Sequence, residues 1–294
     1  MAFDPISAPC PICESRETRR IAPFAQRQNV ALQLRECTSC RVRFLAPQPP
    51  DDWLSREYLN YYGKRKSPSA RPKKEFFGRL LSEHAGSLAE QSILELGAGE
   101  GDCAAAVQER WPSARMTAVE SNPESLAHYA DLKCEVIRES VETWIAAQHP
   151  RKFNALLLFD LLEHLRNPVA TLSQLSANHL EPGAIVIATF PNVESWSRRL
   201  LGRLWFQYKV EHLFYFSRSS VCELGRRAGL QTVTLRPLRK KFPISYFLAV
   251  GSHFGPRPFQ RIARLVRLLT PQAVARLSIP LSLGEWLWVA RKTS

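Results

Sequence analysis

From Ser92 onward the chain alternates short apolar runs with helical stretches of mixed polarity. Ser92–Leu96 (SILEL) leads through Gly97-Ala98-Gly99-Glu100-Gly101 into a helical stretch from Asp102 to Arg110. Further apolar runs follow at Met116–Glu120, Cys134–Glu139, Phe153–Asp160 (FNALLLFD) and Ala184–Phe190. Apolar runs this short, bounded by turn residues and separated by helices, predict buried strands in a doubly wound parallel α/β sheet. A helix over Ser219–Ala228 and a sixth strand over Gln231–Arg236 continue the alternation. Glu285–Ala290 (EWLWVA) has the aromatic character of a final strand.

Outside this pattern the chain divides further. Residues 1–46 form one segment, 47–91 a linker and helical lid region, and 92–294 the α/β domain with an insertion at 237–284. Phe44–Pro50 (FLAPQPP) reads as the linker and Trp53–Tyr62 (WLSREYLNYY) as an aromatic helix. Lys64–Lys74, basic and rich in Ser and Pro, predicts a loop. Phe76–Leu88 then predicts the helix ahead of the first strand. Trp196–Tyr208 is an apolar and basic insertion, expected to be helical. In the 237–284 insertion, Ile262, Leu265, Val266 and Leu269 share one helical face over Phe259–Leu269, while Arg261, Arg264 and Arg267 lie elsewhere on the wheel. Such a helix suits an anionic membrane surface, a cover over a substrate pocket or a dimer contact.

Composition narrows the class. At 294 residues the chain allows one large domain and a small one. It opens MAFDPISAPC, with neither the basic nor the apolar region of a signal peptide. The longest uncharged stretch late in the chain, 242–256, is too short and interrupted to span a bilayer. Seven cysteines, four of them in C-x-x-C units, do not make a secreted disulfide set. The expectation is a cytoplasmic enzyme, with peripheral contact at the inner face of the membrane left open. The net charge of +13 is uneven: from Trp196 onward there are 18 Lys/Arg and 3 acids, against 22 and 24 before it. The basic C-terminal third would meet anionic lipid, a phosphate-bearing substrate or nucleic acid.

Three sets of residues carry candidate chemistry. Cys10-Pro11-Ile12-Cys13 and Cys37-Thr38-Ser39-Cys40 are two knuckles separated by 23 residues. Each places two thiolates on a tight turn, and together they predict a closed, structural four-cysteine Zn²⁺ site of the ribbon type. The glycine turn lets a ligand approach the backbone. It misses the dinucleotide pattern G-x-G-x-x-G/A because Asp102 stands at the last position, so NAD is the weaker ligand. Glu120, ending the second strand, is placed to accept a ribose hydroxyl pair. Finally, Asp160, Glu163 and His164 stand at i, i+3 and i+4, spacing that gathers them on one side of a helical turn. A distant His212 would complete an O/N cage for Mg²⁺ or Mn²⁺, or either histidine would serve as a metal-free general base.

The order E-x-G-x-G-x-G (Glu95–Gly101), strand-end acid (Glu120), D-x-x-E-H-L-x-x-P (Asp160–Pro168) and L-x-P-G (Leu180–Gly183) resembles that of Rossmann-like, class I S-adenosylmethionine (SAM) methyltransferases. The resemblance covers about Ile93 to Arg236. With the cysteine knuckles, the P-x-P and the Tyr-rich helix ahead of it, the chain is similar to bacterial methyltransferases of sugars, polysaccharides and natural products. The resemblance implies a seven-stranded sheet whose last strand inserts antiparallel beside the sixth. It implies that Gly97, Ala98, Gly99 and Gly101 hold the methionine half of SAM, with Glu95 near its amino group. Glu120 and Ser121 would take the ribose, Glu139 or Ser140 the adenine edge, and Phe159 and Asp160 the space beside the methyl. The H-L-x-x-F-S segment from His212 to Ser217 would return the chain to the active site. An acid-x-x-Glu-His with a remote His is also similar to metal-assisted small-RNA 2′-O-methyltransferases, from which this chain departs in having Asp160 in place of a Glu.

Three functions follow, in order of fit. The first is methylation of a small molecule, most fittingly a hydroxyl of a sugar or of a glycan or lipid-linked precursor, with His212 or His164 as base. The second is RNA methylation, with ribbon and basic region gripping phosphates; Cys10 to Cys40 carries five Arg against three Glu, only a mild excess. The third is a non-catalytic SAM-fold partner protein.

Overall fold

Seven of the apolar runs pair into one sheet. The computed structural model describes residues 9–23, 32–54, 56, 70–147, 149–209, 211–245 and 257–293. Its strands are β1 (Thr18–Pro23), β2 (Gln33–Cys37), β3 (Arg43–Leu45), β4 (Ser92–Leu96), β5 (Arg115–Val119), β6 (Glu135–Ile137) and β7 (Phe153–Phe159). They continue with β8 (Leu180–Pro191), β9 (Phe214–Tyr215), β10 (Leu230–Pro237), β11 (Lys240–Pro243), β12 (Ser278–Leu281) and β13 (Glu285–Lys292). The large sheet runs β10-β13-β8-β7-β4-β5-β6. β4 pairs in parallel with β5 and β7, and β7 with β8, while β13 enters antiparallel against β8. The expected doubly wound sheet with a late antiparallel strand is therefore present, and β13 lies between β8 and β10. β4, β5, β7 and β8 are buried along nearly their whole length, which is why they read as continuous apolar runs rather than alternating ones.

Several boundaries differ from the sequence reading, each for a local reason. The helix before β4, α1 (Ala70–His84), starts six residues earlier than expected, so Lys73 and Lys74 are helical rather than in a loop. Lys73 reaches Glu100 at 3.2 Å and Asp102 at 3.3 Å, and Lys74 pairs with Glu109; these acids reward the extra helical turn. β8 begins at Leu180, taking Pro182 and Gly183 into the strand. Trp196–Tyr208 is helical only over Trp196–Leu201, followed by a 3₁₀ turn at Gly202–Leu204. Of the aromatic helix Trp53–Tyr62, residues 51–54 and 56 are helical; its Tyr-rich end lies outside the described residues, as do 64–69 of the basic segment and most of the 242–256 stretch.

A second sheet has the order β1-β2-β3-β9 and joins the N-terminal segment to a strand from far along the chain. Arg43 pairs with Tyr215 and Phe44 with Phe214. The core is continuous through both sheets, running from Ile12, Val42 and Phe44 to Phe214, Phe216 and Trp288. The chain separates into two compact units, one of residues 1–236 with 284–294 and one of residues 237–283. Within the second, β11 and β12 form an antiparallel pair, and Arg257–Leu269 and Gln272–Arg276 are helices. No helix among the described residues is long and apolar enough to cross a membrane.

Candidate active site

The glycine turn between β4 and the helix α2 (Asp102–Arg110) is folded by positive φ at Gly97, Gly99 and Gly101 (67°, 56° and 77°). A Cβ at Gly97 would come within 3.0 Å of Leu161, and one at Gly101 within 3.0 Å of Leu132, whereas Gly99 faces open space. The turn is thus backed by side chains and clear in front at Gly99. Glu120 at the end of β5 braces it: one carboxylate oxygen accepts from the Gly99 N–H and the other from the Asn122 N–H, both at 2.7 Å. A carboxylate offers about four acceptor positions, so two remain for a ribose diol. Ser121 beside it is exposed.

Glu95 sits beneath the turn, 3% exposed, with one carboxylate oxygen buried and unpartnered. Burial, with Asp102 and Glu120 nearby, pushes its pKa from 4.5 up to about 8. A buried carboxyl with an unused acceptor beside an open backbone turn is complementary to an ammonium group. That is what the amino group of SAM would supply, so these residues fit the cofactor. Glu139 also carries a buried unpartnered carboxylate oxygen. Ser140 caps the helix Val141–Ala146, accepting from the Thr143 N–H at 3.1 Å, and so is committed to the fold. Phe159 closes the end of β7 against Phe77, ring centroids 4.7 Å apart.

The α-helical turn expected to carry Asp160, Glu163 and His164 is absent, while Asp160 still acts electrostatically on both of the others. Asp160 has φ of 52° and its carboxylate accepts from the Thr189 hydroxyl at 2.8 Å. The chain then turns through Leu161 into a 3₁₀ turn, Leu162–His164, so the α-helical i, i+3, i+4 geometry never applies. What assembles instead is Glu163, His164 and His212, whose candidate ligand atoms all lie within 4.8 Å of one another. The two imidazoles meet edge to face, centroids 4.9 Å apart. Burial lowers the His164 pKa to about 4 and drives that of His212 well below 6.5, with each helped by Lys209 and His212 also by His164. Burial and Asp160 raise Glu163 well above the usual carboxylate range. The two imidazoles are therefore neutral near pH 7, and Glu163 Oε2 and His212 Nδ1 are buried without partners. The His164 Nδ1 lies 3.0 Å from the Glu211 carbonyl, a contact that orients its ring.

The segment holding His212 is fixed from both sides. The Leu213 N–H donates to the Glu163 carbonyl at 2.7 Å, and the Leu45 N–H to the Leu213 carbonyl at 3.0 Å. Ser217 and Ser219 both donate their hydroxyls to the Cys40 carbonyl, each at 2.7 Å. Arg43 donates to the Tyr208 hydroxyl at 2.6 Å, and Arg227 to the Ile12 carbonyl at 2.8 Å. None of these ties was legible beforehand. The H-L-x-x-F-S segment from His212 to Ser217 is the nearest signal, and it names no partner in the cysteine segment.

The four cysteines converge as their spacing predicts. Cys10 and Cys40 Sγ are 3.6 Å apart, as are Cys13 and Cys37. A tetrahedral site with Zn–S near 2.3 Å needs sulfur separations of about 3.8 Å; these two pairs come close to it, and all four sulfurs lie within 4.8 Å of one another. The Ile12 N–H donates to Cys10 Sγ at 3.4 Å, a bond that favours the thiolate, and the Cys40 N–H donates to Cys37 Sγ at 3.5 Å. The contact between the Cys10 and Cys40 sulfurs holds the Cys10 thiol low and, with burial, pushes the Cys40 thiol up.

The strand order and the glycine turn are those of the Rossmann-like fold of class I SAM-dependent methyltransferases. A family model described as a methyltransferase domain matches residues 56–235, more than half of the chain, and the chain belongs to that family. Trans-aconitate 2-methyltransferase of Escherichia coli (strain K12 / DH10B) is 29% identical over 149 residues, covering 46% of this chain and 56% of its own length. The enzyme of that name from Shigella dysenteriae serotype 1 (strain Sd197) is 27% identical over 161 residues, 50% and 60%. The chain thus spans little more than half the length of these curated relatives. Among solved structures, the plantazolicin methyltransferase BpumL with a triazolic desmethylPZN analog and SAH aligns at TM-score 0.52, with 16% identity over 83% of this chain and 94% of its own. A SAM-dependent methyltransferase from Archaeoglobus fulgidus aligns at 0.51, with 13% identity over 83% and 100%. At such identities the likeness is one of fold.

Proposed function

We propose that this methyltransferase acts on a hydroxyl of a small molecule, a sugar or a glycan or lipid-linked precursor, with His212 as general base. The observation that carries this reading is the buried, unpartnered Nδ1 of His212 in a group that is neutral near pH 7. Trans-aconitate, for which the relatives are named, offers carboxylates, which attack a methyl donor without losing a proton; a hydroxyl needs a base. Glu163 and His164 hold that base in place. SAM, when bound, supplies the methyl group as a sulfonium substituent, and Glu95, Glu120 and the glycine turn orient it. The four cysteines would bind one structural Zn²⁺, with no coordination position left for chemistry. The basic C-terminal third suits an acceptor bearing phosphate.

A second reading has one observation in its favour. Glu163, His164 and His212 have the ligand number and proximity of a divalent cation site. Two imidazoles and one carboxylate suit Mn²⁺ better than Mg²⁺, and such an ion would lower the pKa of an acceptor hydroxyl. The deciding experiment is a methylation screen with radiolabelled SAM against nucleotide sugars, lipid-linked sugars, RNA and polycarboxylates, with and without chelator. Transfer to a sugar hydroxyl that survives chelation supports the first reading. Transfer restored only by Mn²⁺ supports the second, and transfer to RNA or to carboxylates alone overturns both.

A further inference from the structure

The 237–283 unit contains eight Lys/Arg and no Asp or Glu. Its helix Arg257–Leu269 turns large apolar side chains outward: Leu268 is 83% exposed and Leu269 73%, with Leu265 also exposed. These three stand at i, i+3 and i+4, on one side of the helix, and exposed Arg261 and Arg267 stand on the same helix. Leu277 and Ile279 of the same unit are exposed as well. Solitary exposed apolar residues need no explanation, but three exposed leucines on one side of a helix, in a unit whose charged residues are all cations, do.

The same combination recurs in the other unit. Over residues 196–209 there are four Lys/Arg and no acid, and Leu200 (74%) and Leu204 (81%) are exposed beside exposed Arg199 and Arg203. A protein partner of ordinary composition would place acids opposite some of these cations and polar groups around a dry centre. A surface of leucines among arginines and without a single carboxylate is instead complementary to anionic headgroups over acyl chains. The leucines enter the headgroup boundary while the long arginine stems let their guanidinium groups stay at phosphate level.

We infer that the exposed leucine face of Arg257–Leu269 is a docking surface for anionic phospholipid bilayers, holding the enzyme at a membrane without spanning it. The inference concerns where the enzyme works and does not depend on which acceptor hydroxyl it methylates.

The test is vesicle co-sedimentation of the full chain with phosphatidylcholine vesicles and with vesicles containing phosphatidylglycerol. The expected result is partition into the phosphatidylglycerol vesicles only, weakened but not abolished by salt. Each cation near the surface contributes about fivefold to partition, so Arg261→Glu with Arg267→Glu should lower it by well over tenfold. Leu268→Ser with Leu269→Ser, which leaves the charge unchanged, should lower it at least tenfold with unaltered S-adenosylhomocysteine affinity and circular dichroism. Absence of binding to phosphatidylglycerol vesicles, or binding unaffected by the leucine pair, overturns the inference. So does a wild-type dimer in analytical ultracentrifugation that the leucine pair makes monomeric, since the face would then belong to a second copy of the chain.

Discussion

The proposed cofactor half and the proposed acceptor half of the site are assembled by different means. The cofactor half comes from neighbouring pieces of one sheet: β4, its glycine turn, and the end of the adjacent β5, with Glu120 bonded directly to the turn. The acceptor half unites Glu163 and His164 with His212, which arrives after the whole of β8 and the Trp196–Tyr208 segment. It stays there because Leu45 of β3 and the Cys40 carbonyl hold the residues that follow it. Cofactor binding should therefore survive damage to the cysteine ribbon, whereas methyl transfer should not.

Cys37→Ser applies the largest force to this contrast. Structural zinc supplies most of the folding free energy of small metal modules. The variant should lose its metal by plasma emission analysis and all measurable methyl transfer, while S-adenosylhomocysteine affinity changes less than about fivefold. Equal loss of both functions would show the halves to be one structure. His212→Ala acts inside the acceptor half alone. It should lower turnover by about 10²- to 10⁴-fold, the range for a lost general base, with cofactor affinity unchanged by calorimetry. Turnover near wild type would remove His212 from the chemistry.

Glu120→Ala tests the opposite half. It removes charged hydrogen bonds worth about 1.5–3 kcal/mol each and frees the Gly99 N–H, so S-adenosylhomocysteine should bind roughly tenfold to a hundredfold more weakly. The smallest effect concerns Glu95. Its carboxyl, raised from 4.5 to about 8 by burial, holds a proton at pH 7 in the free enzyme. In the window between those values the folded state binds more protons than the unfolded one, so stability falls as pH rises through it. An incoming ammonium group would restore the ordinary pKa and expel the proton. Calorimetric titration with S-adenosylhomocysteine in buffers of different ionisation enthalpy should show release of close to one proton at pH 7, fading above pH 8. Glu95→Gln should abolish the release; release unchanged in that variant would assign it to another group.

The contrast also marks what was legible in the chain. Ser92–Gly101 declares itself because strand, turn and ligand-facing groups are contiguous and local sterics decide them. The cysteine knuckles are legible for the same reason, each being a turn with fixed spacing. The spacing of Asp160 to Glu163 and His164 speaks for an α-helical turn, and the backbone there does not form one. The residue takes a left-handed conformation at the strand end and turns to Thr189 instead. Lys73 looked like part of a loop because its partners, Glu100 and Asp102, lie across a fold not yet formed. The hydroxyls of Ser217 and Ser219 on the Cys40 carbonyl join residues more than 170 positions apart, and no periodicity carries that information.

The position of β13 bears on how the protein is made. It fills the place between β8 and β10, yet it follows both, and the whole 237–283 unit, in the chain. While the ribosome is still translating that unit, Ile185–Phe190 of β8 present an apolar strand with one ladder of backbone groups open. Pairing must wait for residues about a hundred positions downstream, a contact order that slows folding and lengthens exposure to aggregation. Nascent chains paused within the insertion should therefore be the form most in need of a chaperone.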